Sequence, residues 1–134
     1  MKPPVLLCYR LQGEQAAQIK LLAMQLGVRV RPVAQEEFAE PLISLCGWEP
    51  LTGAKPTQEA FPDPMLVLAN FPQTTLDKFL SAFRERRIPS VSLKAILTET
   101  NAHWDSFALH RELSEEHRAM NAARLKAQQP DATV

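Results

Sequence analysis

Two short apolar runs constrain the fold of this chain more than any other feature of its sequence. The first extends from Pro4 to Arg10 and the second from Pro64 to Asn70, and each is an unbroken apolar series closed by a polar residue. A run of this length without alternation is typical of a strand covered on both faces, because a strand with one wet face alternates apolar and polar residues. The runs therefore predict two buried strands within one sheet.

The first run opens a β-α-β pattern over residues 4–33. Residues 14–26 place apolar side chains at helical spacing, and Gly27 follows where a left-handed residue can end a helix. Residues 28–33 then alternate apolar with basic residues. Pro32 has no N–H group to donate to a neighbouring strand, so we expect this strand at an edge of the sheet.

The second run repeats the pattern over residues 64–94, with helical spacing in 73–86 and alternation from Ser90. The two units overlay at an offset of 60 residues, which indicates a repeated architecture without sequence identity. The fold class predicted is α/β, a four-stranded, mainly parallel sheet in the order 2-1-3-4, since crossovers are right-handed and four parallel strands are the simplest case. A ferredoxin-like α+β fold with an antiparallel sheet is the alternative, and the direction of strand three relative to strand one stays open.

The remaining segments complete one predicted domain, residues 1–127. A linker helix and a proline-rich loop join the units over residues 34–63, and a long C-terminal helix covers 105–127, with Asp105 as its N-cap. We expect residues 128–134 to form a frayed tail.

Apolar residues of both units are predicted to form one contiguous core, and the loop supplies two more anchors. The core residues are Leu6, Ile19, Leu66, Val67, Leu68, Phe79 and Phe83. In the loop, Trp48 and Phe61 either pin the chain to the body or form an exposed partner site. The cysteines, Cys8 and Cys46, lie among apolar neighbours and are expected to be buried free thiols.

Composition and motif searches exclude several function classes. The chain has 15 Lys plus Arg against 15 Asp plus Glu, so it lacks the positive field with which nucleic-acid and membrane binders gather their partners. It has no apolar stretch of about 20 residues and no signal-peptide pattern, and with two lone cysteines this favours the cytoplasm. The histidines His103, His110 and His117 recur every seven residues, too far apart on a helix to share a metal ion. We expect no metal, no cofactor and no catalytic residue.

The most distinctive segment follows the last predicted strand, where Lys94, Thr98, Asn101 and Trp104 lie close together in sequence. The spacing Lys-Ala-x-Leu-Thr-x-x-Asn-x-x-Trp, within a stretch from Met65 to about Met120, resembles a family of small bacterial proteins known only as a domain of unknown function. The resemblance implies a bacterial cytoplasmic origin and no activity.

These polar residues have two interpretations. With Asn70 they are candidates for a small-anion or carboxylate site, with or without catalysis, at the carboxyl ends of the strands, in a cleft between loops 11–14 and 70–73. The structural interpretation is that Thr98 and Asn101 bond to their own backbone in a turn and that Trp104 fills the core. We favour the structural interpretation.

The C-terminal helix suggests a different function. Leu113, His117 and Met120 continue one stripe along the helix, which indicates a contact with a second copy or a protein partner. The favoured hypothesis is therefore a non-catalytic binding or assembly module that acts through this helix, as a homodimer or with a protein partner.

Overall fold

Four strands form one sheet in the order β2-β1-β3-β4, as the sequence predicts. The structure is a computed structural model that describes residues 2–128. Its elements are β1 (Val5–Tyr9), α1 (Gly13–Gln25), β2 (Arg29–Pro32), α2 (Leu42–Leu45), β3 (Met65–Ala69), α3 (Gln73–Glu85), β4 (Leu93–Ile96) and α4 (Ser106–Gln128). Of the predicted tail, Gln128 ends α4 and the other residues lie outside the described part of the chain.

The two central strands run in opposite directions, so the sheet is mixed. β1 is parallel to β2 and β3 is parallel to β4, while β1 and β3 are antiparallel. Two of the three pairings are parallel, as expected for a mainly parallel sheet. The direction of strand three, which the sequence left open, is opposite to that of strand one, because the long linker reverses the chain. The antiparallel, ferredoxin-like alternative is not the observed topology, because two of the three pairings are parallel.

The β1–β3 pairing relates the two units by a local twofold axis. β1 begins at Val5 and β3 begins 60 residues later at Met65. Leu7 pairs with Val67, its own equivalent at this offset, and the flanking pairs exchange symmetrically, Val5 with Ala69 and Tyr9 with Met65. The axis therefore passes through the Leu7–Val67 pair.

The backbone beyond the strands repeats at the same offset. Arg10 and Asn70, the residues after β1 and β3, are both left-handed, with φ of 58° and 59°. Helices α1 and α3 end alike: the amide of Val28 donates to Ala23 O at 2.8 Å, and that of Ile88 donates to Phe83 O at 2.9 Å. The repeated architecture predicted from the sequence is therefore present in the backbone.

The sheet carries a separate apolar cluster on each face. On the face covered by α1 and α3, the even-numbered strand residues pack against side chains of both helices. The strand residues of this cluster are Leu6, Cys8, Leu66 and Leu68, and the helix residues include Ile19, Leu22 and Phe79. The opposite face packs against the linker and α4: Val5, Leu7, Tyr9, Phe38, Leu42, Phe61, Val67 and Phe107. The prediction of one core is wrong for Val67, because adjacent strand residues point to opposite faces.

The linker is held by aromatic contacts. Phe61 is 6% exposed, and its ring stacks between Phe38, at 4.6 Å between centroids, and His110, at 4.0 Å. Trp48 is half-buried and packs against the same cluster. Of the two interpretations of these side chains, the anchor is the observed one. The predicted helix of this segment is interrupted at Pro41, which immediately precedes α2.

Helix α4 is fixed to the body at its first turn. The Asp105 carboxylate accepts a hydrogen bond from the Ala108 amide at 2.8 Å, which is the predicted N-cap. The buried Ser106 and Tyr9 hydroxyls share a hydrogen bond of 2.7 Å, which ties the helix to β1. Among the described helices, none combines the length and apolar character required to span a bilayer.

Phe79 tests the packing of α3 on the sheet, since its side chain is 0% exposed. Phe79→Ala removes most of a buried ring and leaves a cavity, so it should lower the free energy of unfolding by about 3–5 kcal/mol. Leu80→Ala, at the exposed neighbouring position, is the control and should cost less than about 1 kcal/mol. Urea denaturation measures both, and equal losses would place Phe79 outside the core.

Candidate functional site

The cleft expected between loops 11–14 and 70–73 does not form. Because β1 and β3 are antiparallel, the end of β1 at Tyr9 lies beside the start of β3 at Met65. The loops that follow the two strands therefore lie at opposite ends of the sheet. Loops that follow two neighbouring strands can form a common cleft only where the two strands are parallel.

Asn70 and Lys94 also lie apart. Lys94 is the second residue of β4 and pairs with Leu66, so it is not at the carboxyl end of its strand as expected. Asn70 is four residues beyond Leu66, about 13 Å along the strand direction. Its side-chain amide donates to Lys2 O, and the Lys94 ammonium donates to Val91 O at 2.6 Å.

Thr98 and Asn101 bind each other's backbone. The Thr98 amide donates to Asn101 Oδ1 at 2.8 Å, and the Asn101 amide donates to Thr98 Oγ1 at 3.2 Å. The Asn101 side chain also donates to Ile96 O at 3.1 Å, and Asn101 is 8% exposed. These side chains close the turn between β4 and α4, which is the arrangement that the structural interpretation expected.

The end of this turn caps helix α2. The first two amides of α2, those of Leu42 and Ile43, donate to Trp104 O and Ala102 O at 2.9 Å each. The Trp104 ring is half-buried against the cluster on the α4 face. The turn thus satisfies helix-end donors that have no partner within α2 itself.

A buried carboxylate that the sequence analysis missed lies in the linker. Glu40 is 5% exposed, and its oxygens accept hydrogen bonds from Thr52 N and Oγ1, both at 2.7 Å, and from Gly53 N at 2.8 Å. These hydrogen bonds, that from the Thr52 amide first, lower the pKa of Glu40. An acid held in its ionised form by three donors fixes the loop and is unsuited to donate a proton.

The predicted interface residues lie along the middle of α4. Leu113 is half-buried and already contacts the body, whereas His117 is exposed and Met120 is 71% exposed. Every residue from Glu115 to Met120 is exposed. This part of the helix is therefore open to solvent, although His117 and Arg118 still border a cleft against the body.

One cleft of about 490 Å³ lies at the carboxyl ends of the parallel pair β1 and β2, against α1. Arg10 and Lys20 line it together with apolar side chains that include Leu11, Ala17 and Val30. Arg10 Nε is shielded from solvent and has no hydrogen-bond partner among residues 2–128. We call this space the Arg10 cleft. Sequence reasoning named its rim, loop 11–14, but neither cation.

A second cleft of about 440 Å³ lies between the start of β4 and α4. Ser90, Ser92, Ser114, His117 and Arg118 are among its lining residues. The His117 ring bonds to Asn121 on its own helix at 3.2 Å, and within residues 2–128 no serine hydroxyl is hydrogen-bonded to a histidine. The same residues contain no group of three His, Cys, Asp or Glu side chains that could hold a metal ion.

The turn between β4 and α4 supports a stability prediction. Thr98→Ala and Asn101→Ala should each lower the free energy of unfolding by about 1 kcal/mol, because partly buried backbone groups lose their hydrogen-bond partners. Lys94→Met should change it little, since the apolar stem remains and partial burial already lowers the pKa of the ammonium. Thermal melting without ligand checks all three variants. A larger loss in Lys94→Met than in Asn101→Ala would contradict the structural interpretation.

Glu40 makes the stability of the loop dependent on pH. Its pKa is lowered from the ordinary value of 4.5 in the folded state, so its contribution is complete above that pH and is lost as the pH falls through the lower folded pKa. Glu40→Gln should therefore be less stable than the wild type at about pH 7, and the difference should shrink in acid. Urea denaturation across the acid range measures this, with Glu36→Gln, an exposed neighbour, as a control that keeps wild-type stability at about pH 7. A constant difference would exclude the role of the Glu40 charge.

Comparison with known proteins adds one finding. A family model described as a domain of unknown function (DUF3783) matches residues 64–120, a little under half of the chain. The matched part contains the second β-α-β unit, the turn at Thr98 and Asn101, and the first half of α4. Searches of curated proteins and of solved structures find no match to the chain. Residues 64–120 are thus similar to a domain to which no function is assigned.

Proposed function

We propose that the protein is a non-catalytic assembly module that pairs with a second copy of itself through the exposed part of α4, from residue 115 onward. The observation that carries the proposal is the exposure of Met120, an apolar residue that is 71% exposed on α4. Residues 115–128 alone would form only a marginally stable helix in water, because most helical stability in proteins comes from packing. A second helix laid along it would supply that packing.

Charge favours a second copy, laid antiparallel, as the occupant. Before Met120, α4 carries three acids, Glu112, Glu115 and Glu116, and two cations, Arg111 and Arg118, whereas Arg124 lies beyond Met120. In an antiparallel pair centred on Met120, Arg124 of each helix lies beside the net-acidic part of the other. The wild-type helix is therefore complementary to itself in this direction.

The proposal has a defined register. Glu116 and Arg124 are four residues before and four residues after Met120, so all three lie along one side of the helix. In the antiparallel pair Glu116 meets Arg124 of the second copy, and the same contact forms twice by symmetry. Leu113 and His117, which lie on the adjacent part of the stripe, border the contact.

Location is the second part of the proposal. Cys8 and Cys46 are both buried free thiols, and burial raises the pKa of Cys46 to about 11, so the thiol stays protonated and inert. Unpaired thiols in a small protein favour a reducing compartment. On this basis we propose a reducing compartment, and the family resemblance of residues 65–120 suggests that this compartment is the bacterial cytoplasm.

A charge swap tests the assembly. Glu116→Arg and Arg124→Glu should each weaken self-association about tenfold or more, because two attractive contacts become repulsive, and the double variant should restore it. Sedimentation equilibrium over a range of concentrations measures the dissociation constants. Glu115→Arg, an adjacent acid on the other side of the helix, is the matched control and should have little effect.

Three outcomes would contradict the proposal. The first is a wild type that stays monomeric at all concentrations. The second is a double variant that stays dissociated, which would mean that Glu116 and Arg124 do not face each other across the contact. The third is a wild type that associates equally well when Met120 is replaced by Glu, which would place the contact elsewhere.

A further inference from the structure

The Arg10 cleft combines two cations with an apolar floor. The apolar floor consists of Leu11, Ala17 and Val30, and no carboxylate is found among the described residues that line the cleft. Cys8 also lines the cleft, and burial raises the pKa of its thiol to about 12, so this group stays neutral. The positive charge of the cleft is therefore not compensated from within.

The fold itself does not require these cations, because the second unit builds the same backbone without them. At the offset of 60 residues, Arg10 corresponds to Asn70 and Lys20 to Leu80. Asn70 adopts the same left-handed conformation, with φ of 59° against 58°, and its amide has a partner in Lys2 O. Asparagine is among the residues that tolerate this conformation best, while arginine has no such advantage.

Position adds a third observation. The cleft lies at the carboxyl ends of the parallel pair β1 and β2, beside the first turns of α1. This is the end of parallel strands at which ligands bind in open α/β sheets, although the switch point of such sheets is absent here. Its volume of about 490 Å³ is within the range of small-molecule sites. Arg10 Nε has no hydrogen-bond partner in the described chain and is shielded from solvent, so a ligand reaches this nitrogen only if the side chain moves.

We propose that the Arg10 cleft binds a small amphipathic carboxylate, with the carboxylate between Arg10 and Lys20 and the apolar body against Leu11, Ala17 and Val30. The guanidinium suits a carboxylate because it presents several donors in one plane. An inorganic anion has no apolar part to contact Leu11, Ala17 and Val30, so it should bind more weakly than an amphipathic carboxylate. The proposal is independent of self-association, since α4 packs on the other face of the sheet.

The second unit supplies the test variants. Arg10→Asn and Lys20→Leu place in the first unit the residues that stand at the equivalent positions of the second, so neither should lower the melting temperature. Each should weaken carboxylate binding about tenfold or more, the loss expected for one charge-assisted hydrogen bond. Ala17→Leu fills the cleft at little cost to the helix and should abolish binding. Lys78→Met, on α3, is the matched control and should leave binding unchanged.

The probes are octanoate and benzoate, with octanol and inorganic phosphate for comparison, and calorimetry or chemical-shift titration of the whole chain measures each dissociation constant. Both carboxylates should bind, and octanol and phosphate should bind at least about tenfold more weakly. Equal binding of octanol would show that the cleft recognises only apolar groups, and equal binding of phosphate would show that it recognises only negative charge. Either result would contradict the proposal. Absence of carboxylate binding to the wild type, or an equal loss in Lys78→Met, would also overturn the proposal.

Discussion

The antiparallel pairing of β1 with β3 is the constraint on which the rest of the structure depends. Its axis, at Leu7 and Val67, places the second strand of each β-α-β unit at an edge of the sheet. Right-handed crossovers then put α1 and α3 on the same face, where they share one apolar cluster. The opposite face of both central strands remains apolar and must be covered by chain outside the repeat.

The segments that cover this face have no counterpart in the repeat, and they hold one another in place. Phe61 brings the linker onto the cluster, and Ser106 joins α4 to Tyr9. The turn at Asn101 gives its neighbouring carbonyls to the amides of α2, so the connection before α4 also fixes the linker. The polar residues that suggested a site from the sequence are thus needed to close the second face, and their spacing reflects this geometry.

The extent of successful prediction follows from which interactions are local. The apolar runs, the helix spacing and the Asp105 cap depend on neighbours in sequence, and the strand order follows from short crossovers. The direction of β3 depends on the long linker, whose path no local pattern specifies, and this direction separates Asn70 from the loop after β1. Lys94 was misplaced for a different reason, because β4 extends beyond it to Ile96. The cations of the Arg10 cleft were missed because Arg10 and Lys20 are separated by a helix turn and a loop; comparison of the units at equivalent positions, Arg10 with Asn70, is the signal that distinguishes them.

The sheet separates the two proposed functions and predicts how they interact. Cys8 and Tyr9 are neighbours in β1, yet Cys8 lines the Arg10 cleft and Tyr9 bonds to Ser106 at the start of α4. β1 is hydrogen-bonded on both sides, so a ligand in the cleft can shift it only by displacing β2 and β3 as well. Coupling between sites requires an element that has two alternative arrangements. A strand that is paired along both edges and covered on both faces does not readily adopt a second arrangement. Occupancy of the cleft should therefore leave the α4 contact unchanged, which makes this fold a scaffold for two independent surfaces.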